Sequence, residues 1–280
     1  MPALIKPLGL DHRPALHTLL MKEATNNLYF LGLLEEFGVV PQRGTAPFEI
    51  HGRFDGGNLT AALFVGYDGG LLVPSYSAVG YIGDIARALA GKVRLRGAVG
   101  ETALVDTLAT YLGQTEKRKT QKAQRLYTVS ADDLGPHTNP TLRLATESDL
   151  RQLLPLAAAS VKEMFARDPL LEDPRGFAER VRRRVRENRT YVLEDKGRLV
   201  FKLDIGSRSQ AGAELEGLYT VPQERGKGHA TLCLGQISRH LLSSLPRLAI
   251  RIDDNGMALT AIARKVGYIA GRPQKVLLLE

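Results

Sequence analysis

The chain has 280 residues, 44% of them hydrophobic and 24% charged, with a formal net charge of +8. That composition is globular, excludes a low-complexity or collagen-like chain, and offers no apolar run near the roughly 18 residues a membrane helix needs. A lone Cys233 excludes an internal disulfide and any metal site built from several cysteines, so no metal is expected.

The opening residues MPALIKPLGLDHRP hold no sustained hydrophobic stretch. They do not read as a secretory signal, and the cytoplasm is the expected location. Positive charge gathers at residues 116–125 and 175–189. In the second cluster Phe177, Val181 and Val185 recur every four residues, which predicts an amphipathic helix with arginines on its outer faces. There is no zinc-ligand spacing, no aromatic-rich RNA-binding stretch and no tryptophan. The basic clusters therefore read as solvated faces, and neither nucleic acid nor a membrane is an expected partner.

In chain order, Ile5 marks a short strand, and Leu16, Leu19 and Leu20 begin a helical pattern. Phe30, Leu33, Leu34 and Phe37 repeat at helical spacing, and Gly38 and Pro41 end that helix. Strands over 48–54 and 59–67 flank the turn Asp55-Gly56-Gly57-Asn58. A strand at 71–74, a helix at 82–89, a strand at 93–96, a helix at 101–112 and a strand at 126–130 follow. The stretch ADDLGPHTNP at 131–140 has linker composition. Beyond it the order restarts: a strand at 142–145, a helix capped by Ser148, the arginine-rich helix, and strands at 190–194, 198–205 and 213–221. A helix at 227–242, a strand at 248–253, a helix at 256–266 and strands near Tyr268 and at 275–279 complete the chain. This is α/β alternation around mixed sheets, in two domains spanning 1–135 and 136–280.

The chemistry concentrates in Glu216-Gly-Leu-Tyr-Thr-Val-Pro-Gln-Glu-Arg-Gly-Lys-Gly-His-Ala230. A strand runs into Pro222, then a loop with Gly226 and Gly228, then a helix with Ala230, Leu234, Ile237 and Leu241 on one face. Such a loop turns consecutive backbone N–H groups toward one point, and the helix N-terminus adds partial positive charge, so an anion such as pyrophosphate would fit. Arg225 and Lys227 stand beside it. The same residues also suit an ordinary glycine-containing turn.

Gln223-x-x-Gly226-x-Gly228 resembles the Gln/Arg-x-x-Gly-x-Gly/Ala signature of the GNAT acetyltransferase superfamily, placed after a strand and before a long helix. Downstream, residues 248–252, Asp253-Asp254-Asn255, Ala258 and Gly267-Tyr268 are similar to the family's next strand, helix start and terminal Gly-Phe/Tyr. The match covers about 141–280. The first half, lacking the signature, resembles the degenerate half of tandem GNAT proteins, which implies two GNAT-like α/β (α+β) domains in tandem.

The resemblance implies acetyl-CoA as cofactor and acetyl transfer to a small-molecule or peptide amine. It places the coenzyme A pyrophosphate on the backbone of Arg225, Gly226, Lys227, Gly228, His229 and Ala230, after Gln223. Val221 would bind pantetheine or polarise the acetyl carbonyl through its backbone, and Asn255 would reach the pantetheine arm. The thioester would lie where the strand ending at Val221 splays from the strand at 248–253. Glu216 is the expected base, with Glu214 in reserve, because a hydrophobic cleft can raise a carboxylate's pKa. The family's acidic Tyr is replaced by Ala263, so Tyr219, Tyr268 or water must protonate the thiolate. That departure keeps open a non-catalytic acyl-CoA-binding module, and the basic clusters keep open an aminoacyl or peptidyl transferase acting with tRNA.

Overall fold

Apolar strands separated by glycine turns assemble here into one sheet that runs through both halves of the chain. The structure, a computed structural model, describes residues 3–43, 45–113 and 119–279. The first three residues of the basic cluster at 116–125 lie outside the described residues.

The first half comprises β1 (Leu4–Pro7), α1 (Arg13–Met21), α2 (Leu28–Phe37), β2 (Phe48–Asp55), β3 (Asn58–Gly66), β4 (Leu72–Pro74), α3 (Val79–Leu89), β5 (Gly97–Glu101), α4 (Thr102–Leu112) and β6 (Lys119–Val129). The second comprises β7 (Arg143–Leu144), α5 (Leu150–Phe165), α6 (Pro169–Glu172), α7 (Pro174–Arg186), β8 (Thr190–Asp195), β9 (Arg198–Ser209), β10 (Gly212–Thr220), α8 (His229–Leu242), β11 (Leu248–Asp253), α9 (Met257–Val266) and β12 (Ile269–Leu279).

Several elements shift from their expected bounds. β5 covers 97–101 rather than 93–96, because Gly97 and Gly100 disguise a strand that packs by close backbone approach. β6 begins at Lys119, seven residues before the apolar stretch that announces it. The two expected C-terminal strands are one, β12. The 3-10 turn leading into α5 is capped by Thr146 in a reciprocal box with Asp149, Asp149 is itself the N-cap of α5, and Ser148 lies inside the turn.

The strand order is β1-β2-β3-β4-β5-β12-β6-β11-β10-β9-β8-β7. Each half repeats one pattern: an antiparallel pair (β3–β4, β9–β10), then a parallel pair (β4–β5, β10–β11). At the centre the halves exchange strands. β12 pairs with β5, β6 pairs with β11, and β12 and β6 pair with each other. A cut between 135 and 136 thus leaves the first half without β12 and the second without β6.

The core has layers on both faces. In the second half Leu215, Ile250, Cys233, Leu234 and Ile237 pack sheet against α8, and Phe177, Val181 and Val185 of α7 pack with Leu153 of α5. Burying each such side chain contributes about 1.5–3 kcal/mol. Helix α2 reaches beyond its own half: its apolar face joins one cluster with Leu126 and Ala249, and Glu36 accepts a hydrogen bond from Arg189 at 2.8 Å. The linker is docked along α8, where Arg239 donates to the Gly135 carbonyl at 2.8 Å.

Candidate functional site

Parallel pairing of β10 with β11 runs from Ala213–Leu248 to Leu215–Ile250 and then stops. Beyond that point β10 also skips register against β9: Glu216 faces Asp204, Tyr219 faces Lys202, and Gly217 and Leu218 pair with neither neighbour. Gly217 turns the bulge with φ +61°, a conformation that favours glycine. The strands part, and a cavity of about 360 Å³ opens at the fork.

One wall is apolar, with Met164 and Phe165 from α5, Phe177 and Val181 from α7, and Leu218 and Leu259. The floor is ionic. Arg184, from α7, donates to Glu216 and, at 3.3 Å, to Asp204; Asp204 also takes Lys202 at 2.6 Å and Thr190 at 2.7 Å. Arg184 is the exception to the expectation that the arginines of this helix face outward. Glu214, the reserve carboxylate, accepts from Arg251 and is held above the ordinary carboxylate range by burial, with Arg251 opposing. Tyr29 of α2 lays its ring 5.2 Å from the Arg251 guanidinium, and burial raises its phenol far above the usual value. Val99 of β5 also lines the cavity, so the first half supplies part of the wall. Neither Tyr29 nor Val99 was legible as a site residue, because only the α2 crossing and the strand exchange bring them here.

The glycine loop follows β10 as expected. Gly226 and Gly228 sit at φ +78° and +86°, with open space where a Cβ would stand. Gly228 caps α8, whose ladder begins with Leu232 donating to the Gly228 carbonyl at 3.1 Å. Among the described residues, the amides of Gly226, Lys227, Gly228, His229, Ala230 and Thr231 have no protein acceptor. Consecutive free N–H groups at a helix N-terminus fit an anion. The full charges are already engaged: Arg225 donates to Glu163 at 2.6 Å, and Lys227 donates to Glu224 at 2.8 Å. Gln223 is exposed beside them.

Other expected residues stand elsewhere. The Val221 amide donates to the Val200 carbonyl at 3.0 Å, and its carbonyl takes Glu224 N–H, so its backbone is spoken for. Tyr219 is buried in the layer with α5 and α7, its ring 5.3 Å from the Arg225 guanidinium, and does not line the cavity. Tyr268 is locked in the core with Ser238 at 2.8 Å, and Ala263 is fully buried. Asn255 lies exposed in the turn between β11 and α9. Among the described residues no cluster of three or more His, Cys, Asp or Glu could hold a metal, and no helix is long and apolar enough to cross a membrane.

No family model and no curated protein matches the sequence. Solved structures do match the fold along its whole length. A GNAT-family acetyltransferase from Colwellia psychrerythraea is 14% identical, with 99% of this chain and 100% of that chain covered at a TM-score of 0.58. A Drosophila protein is 14% identical, with 100% and 99% covered at 0.71. A tandem GNAT protein from the clavulanic acid biosynthesis pathway is 12% identical, with 99% and 97% covered at 0.58. The chain has the fold of these tandem GNAT structures.

Proposed function

We propose that this chain is an acetyl-CoA-dependent N-acetyltransferase acting on a primary amine, with its site in the second half. The observation that carries this reading is the fork where β10 leaves β11, flanked on one side by the cavity and on the other by the free amides of the glycine loop. The loop amides from Gly226 to Thr231 would hold the pyrophosphate, and the pantetheine would run from there to the fork where β10 leaves β11. Acetyl-CoA would supply the thioester carbonyl: the amine nitrogen bonds to its carbon, the carbon–sulfur bond breaks, and the amine's proton ends on the thiol.

The chain's own groups divide the remaining work. The unpaired bulge residues Gly217 and Leu218 take the carbonyl-polarising role expected of Val221, whose amide is engaged. Glu216, oriented by Arg184, receives the amine's proton, with Glu214 behind it. The apolar wall excludes water, which protects the thioester and strengthens each polar contact. With Ala263, Tyr219 and Tyr268 all withdrawn from the cavity, a non-catalytic acyl-CoA-binding module is the second reading.

Gly228→Glu tests the site. A side chain at this open, positive-φ position would project a carboxylate where the pyrophosphate approaches. Calorimetry should show acetyl-CoA affinity falling by about a hundredfold or more, with circular dichroism unchanged. Unchanged affinity in a folded variant would remove the reading. Coenzyme A release with a panel of amines then separates transfer from mere binding.

A further inference from the structure

We propose that the acceptor is a small hydrophobic primary amine, with its nitrogen at Glu216 and its apolar body laid along the inner face of α7 against α5. The proposal rests on the acetyltransferase reading and adds to it the class of amine. Among the described residues, every charged side chain that lines the cavity is paired with another on its floor: Arg184 with Glu216 and Asp204, Lys202 with Asp204, and Arg251 with Glu214. Of these, the Arg184–Glu216 pair stands open, its side chains 39% and 37% exposed, whereas those of Lys202, Asp204, Glu214 and Arg251 are 12% exposed or less. The floor thus presents an incoming ligand with one accessible carboxylate. Arg184 takes Glu216 Oε1, and a carboxylate accepts on both oxygens, so Oε2 is left for one ammonium.

The wall selects the rest of the molecule. Val161, Met164 and Phe165 of α5, with Leu218 and Leu259, line the cavity and are only half-buried, so they hold apolar surface that a ligand's carbon atoms would cover. The helix sets the length of that ligand. Phe177, Val181 and Arg184 follow one another at four and three residues and line the cavity from one face of α7. At 1.5 Å of rise per residue, Val181 lies about 4.5 Å and Phe177 about 10 Å from Arg184 along the axis. An amine anchored on Glu216 beside Arg184 therefore runs its body past Val181 toward Phe177, the reach of a hexyl or phenylethyl group. A second charge at the far end would lie against Met164 and Phe165 without a partner, which is costly and disfavours polyamines and acidic amines. The acetyl group adds only a methyl to the carbonyl at the bulge, so the wall is left to the acceptor. A cavity of about 360 Å³ suits a small molecule better than a peptide. Transfer forms the nitrogen–acetyl bond, breaks the carbon–sulfur bond of the thioester and passes the amine's proton by way of Glu216 to the departing thiol.

The test compares ethylamine, hexylamine, phenylethylamine and hexamethylenediamine on the full chain. Each is measured as kcat/KM for coenzyme A release from acetyl-CoA, and as Kd by calorimetry with coenzyme A present. Hexylamine and phenylethylamine should exceed ethylamine by at least about tenfold in both. Hexamethylenediamine, which carries a second ammonium to the wall, should fall at least about tenfold below hexylamine. Met164→Glu puts a carboxylate on the wall and should cut the preference for hexylamine over the diamine by at least about tenfold, a ratio that a general loss of folded protein does not move. Should that variant not fold, the amine series on the unaltered chain decides alone. Ethylamine equal to hexylamine, or the diamine preferred, overturns the proposal. A gain on replacing acetyl-CoA by hexanoyl-CoA, with no dependence on the length of the amine, overturns it as well, because the wall would then hold the acyl chain. Hydrophobic amines that bind in the expected order but release no coenzyme A would uphold the wall and overturn the acetyltransferase reading instead.

Discussion

Glu224 stands at the mouth of the glycine loop, 2.8 Å from Lys227 Nζ and 3.5 Å from His229 Nε2. Those contacts hold its carboxyl below the usual range, Lys227 contributing most, so it remains charged at neutral pH. Its charge offsets the positive groups that an incoming pyrophosphate would meet. Glu224→Gln should therefore tighten acetyl-CoA binding by roughly threefold at low salt, and the gain should shrink as salt screens the loop. Calorimetry at two ionic strengths reads both effects. Ala263 gives the opposite lesson. The family's tyrosine position invites Ala263→Tyr as a repair, but Ala263 is fully buried beside Val266 and Tyr268. A phenol there overpacks the core and should cost about 3 kcal/mol or more, seen as a lower urea midpoint, without adding an acid to the cavity.

At the scale of elements, the start of α5 shows how local chemistry positions the apolar wall. Asp149 accepts from the Thr146 amide at 2.7 Å and from Arg143 at 2.7 and 2.9 Å, which holds its carboxyl at about 2. A depressed carboxylate stabilises the fold fully above its unfolded value of 3.8, and that contribution is lost as pH falls toward about 2. Asp149→Asn should lower stability by about 2 kcal/mol at pH 7, and the gap from wild type should close as acid unfolding is followed from pH 4 to about 2. This aspartate, the N-cap of α5, was not read from the sequence, which pointed to Ser148 one residue before it. Elements with strong period and punctuation were legible: α2, α7, α8 and the β2–β3 turn stand where apolar spacing and glycines put them. β5 was displaced because its glycines carry no strand signal, and the start of β6 was hidden because Lys122 and Arg125 are polar residues on a strand paired on both sides. The loop was legible for the same local reasons. The floor was not, because Arg184, Tyr29, Gln124 and Arg251 come from four elements that only the sheet order unites.

On the whole-molecule scale, the chain should bind one acetyl-CoA, not two. The first half repeats the fork, with β4 parallel to β5 at Leu72–Ala98, yet the opening beside it is a cavity of only about 10 Å³. Nearby, the buried Asn27 accepts from the Tyr76 amide at 2.7 Å and donates to the Leu20 carbonyl at 2.9 Å, tying α2 to the chain after β4. A carboxylate at the start of the following helix would repel a phosphate, and Asp84 is the nearest candidate. It lies in the second turn of α3, bound to Arg53 at 2.8 Å and to Arg87, so the closed fork rather than that charge argues against a second site. Calorimetry should give a stoichiometry near one per chain, and two molecules at comparable affinity would contradict this division of labour. The strand exchange also decides how the halves can be separated. Removing residues 1–140 takes β6 from between β11 and β12, and takes the Tyr29 and Val99 walls with it. Loss of a central strand unpairs two neighbours and uncovers Ala211, Ala249 and Val276, which packed against the first half, so this truncation should be insoluble rather than merely slow with acceptor. A fragment of residues 141–280 that remained monomeric, folded and able to bind coenzyme A would show that β6 is dispensable and that the halves fold independently.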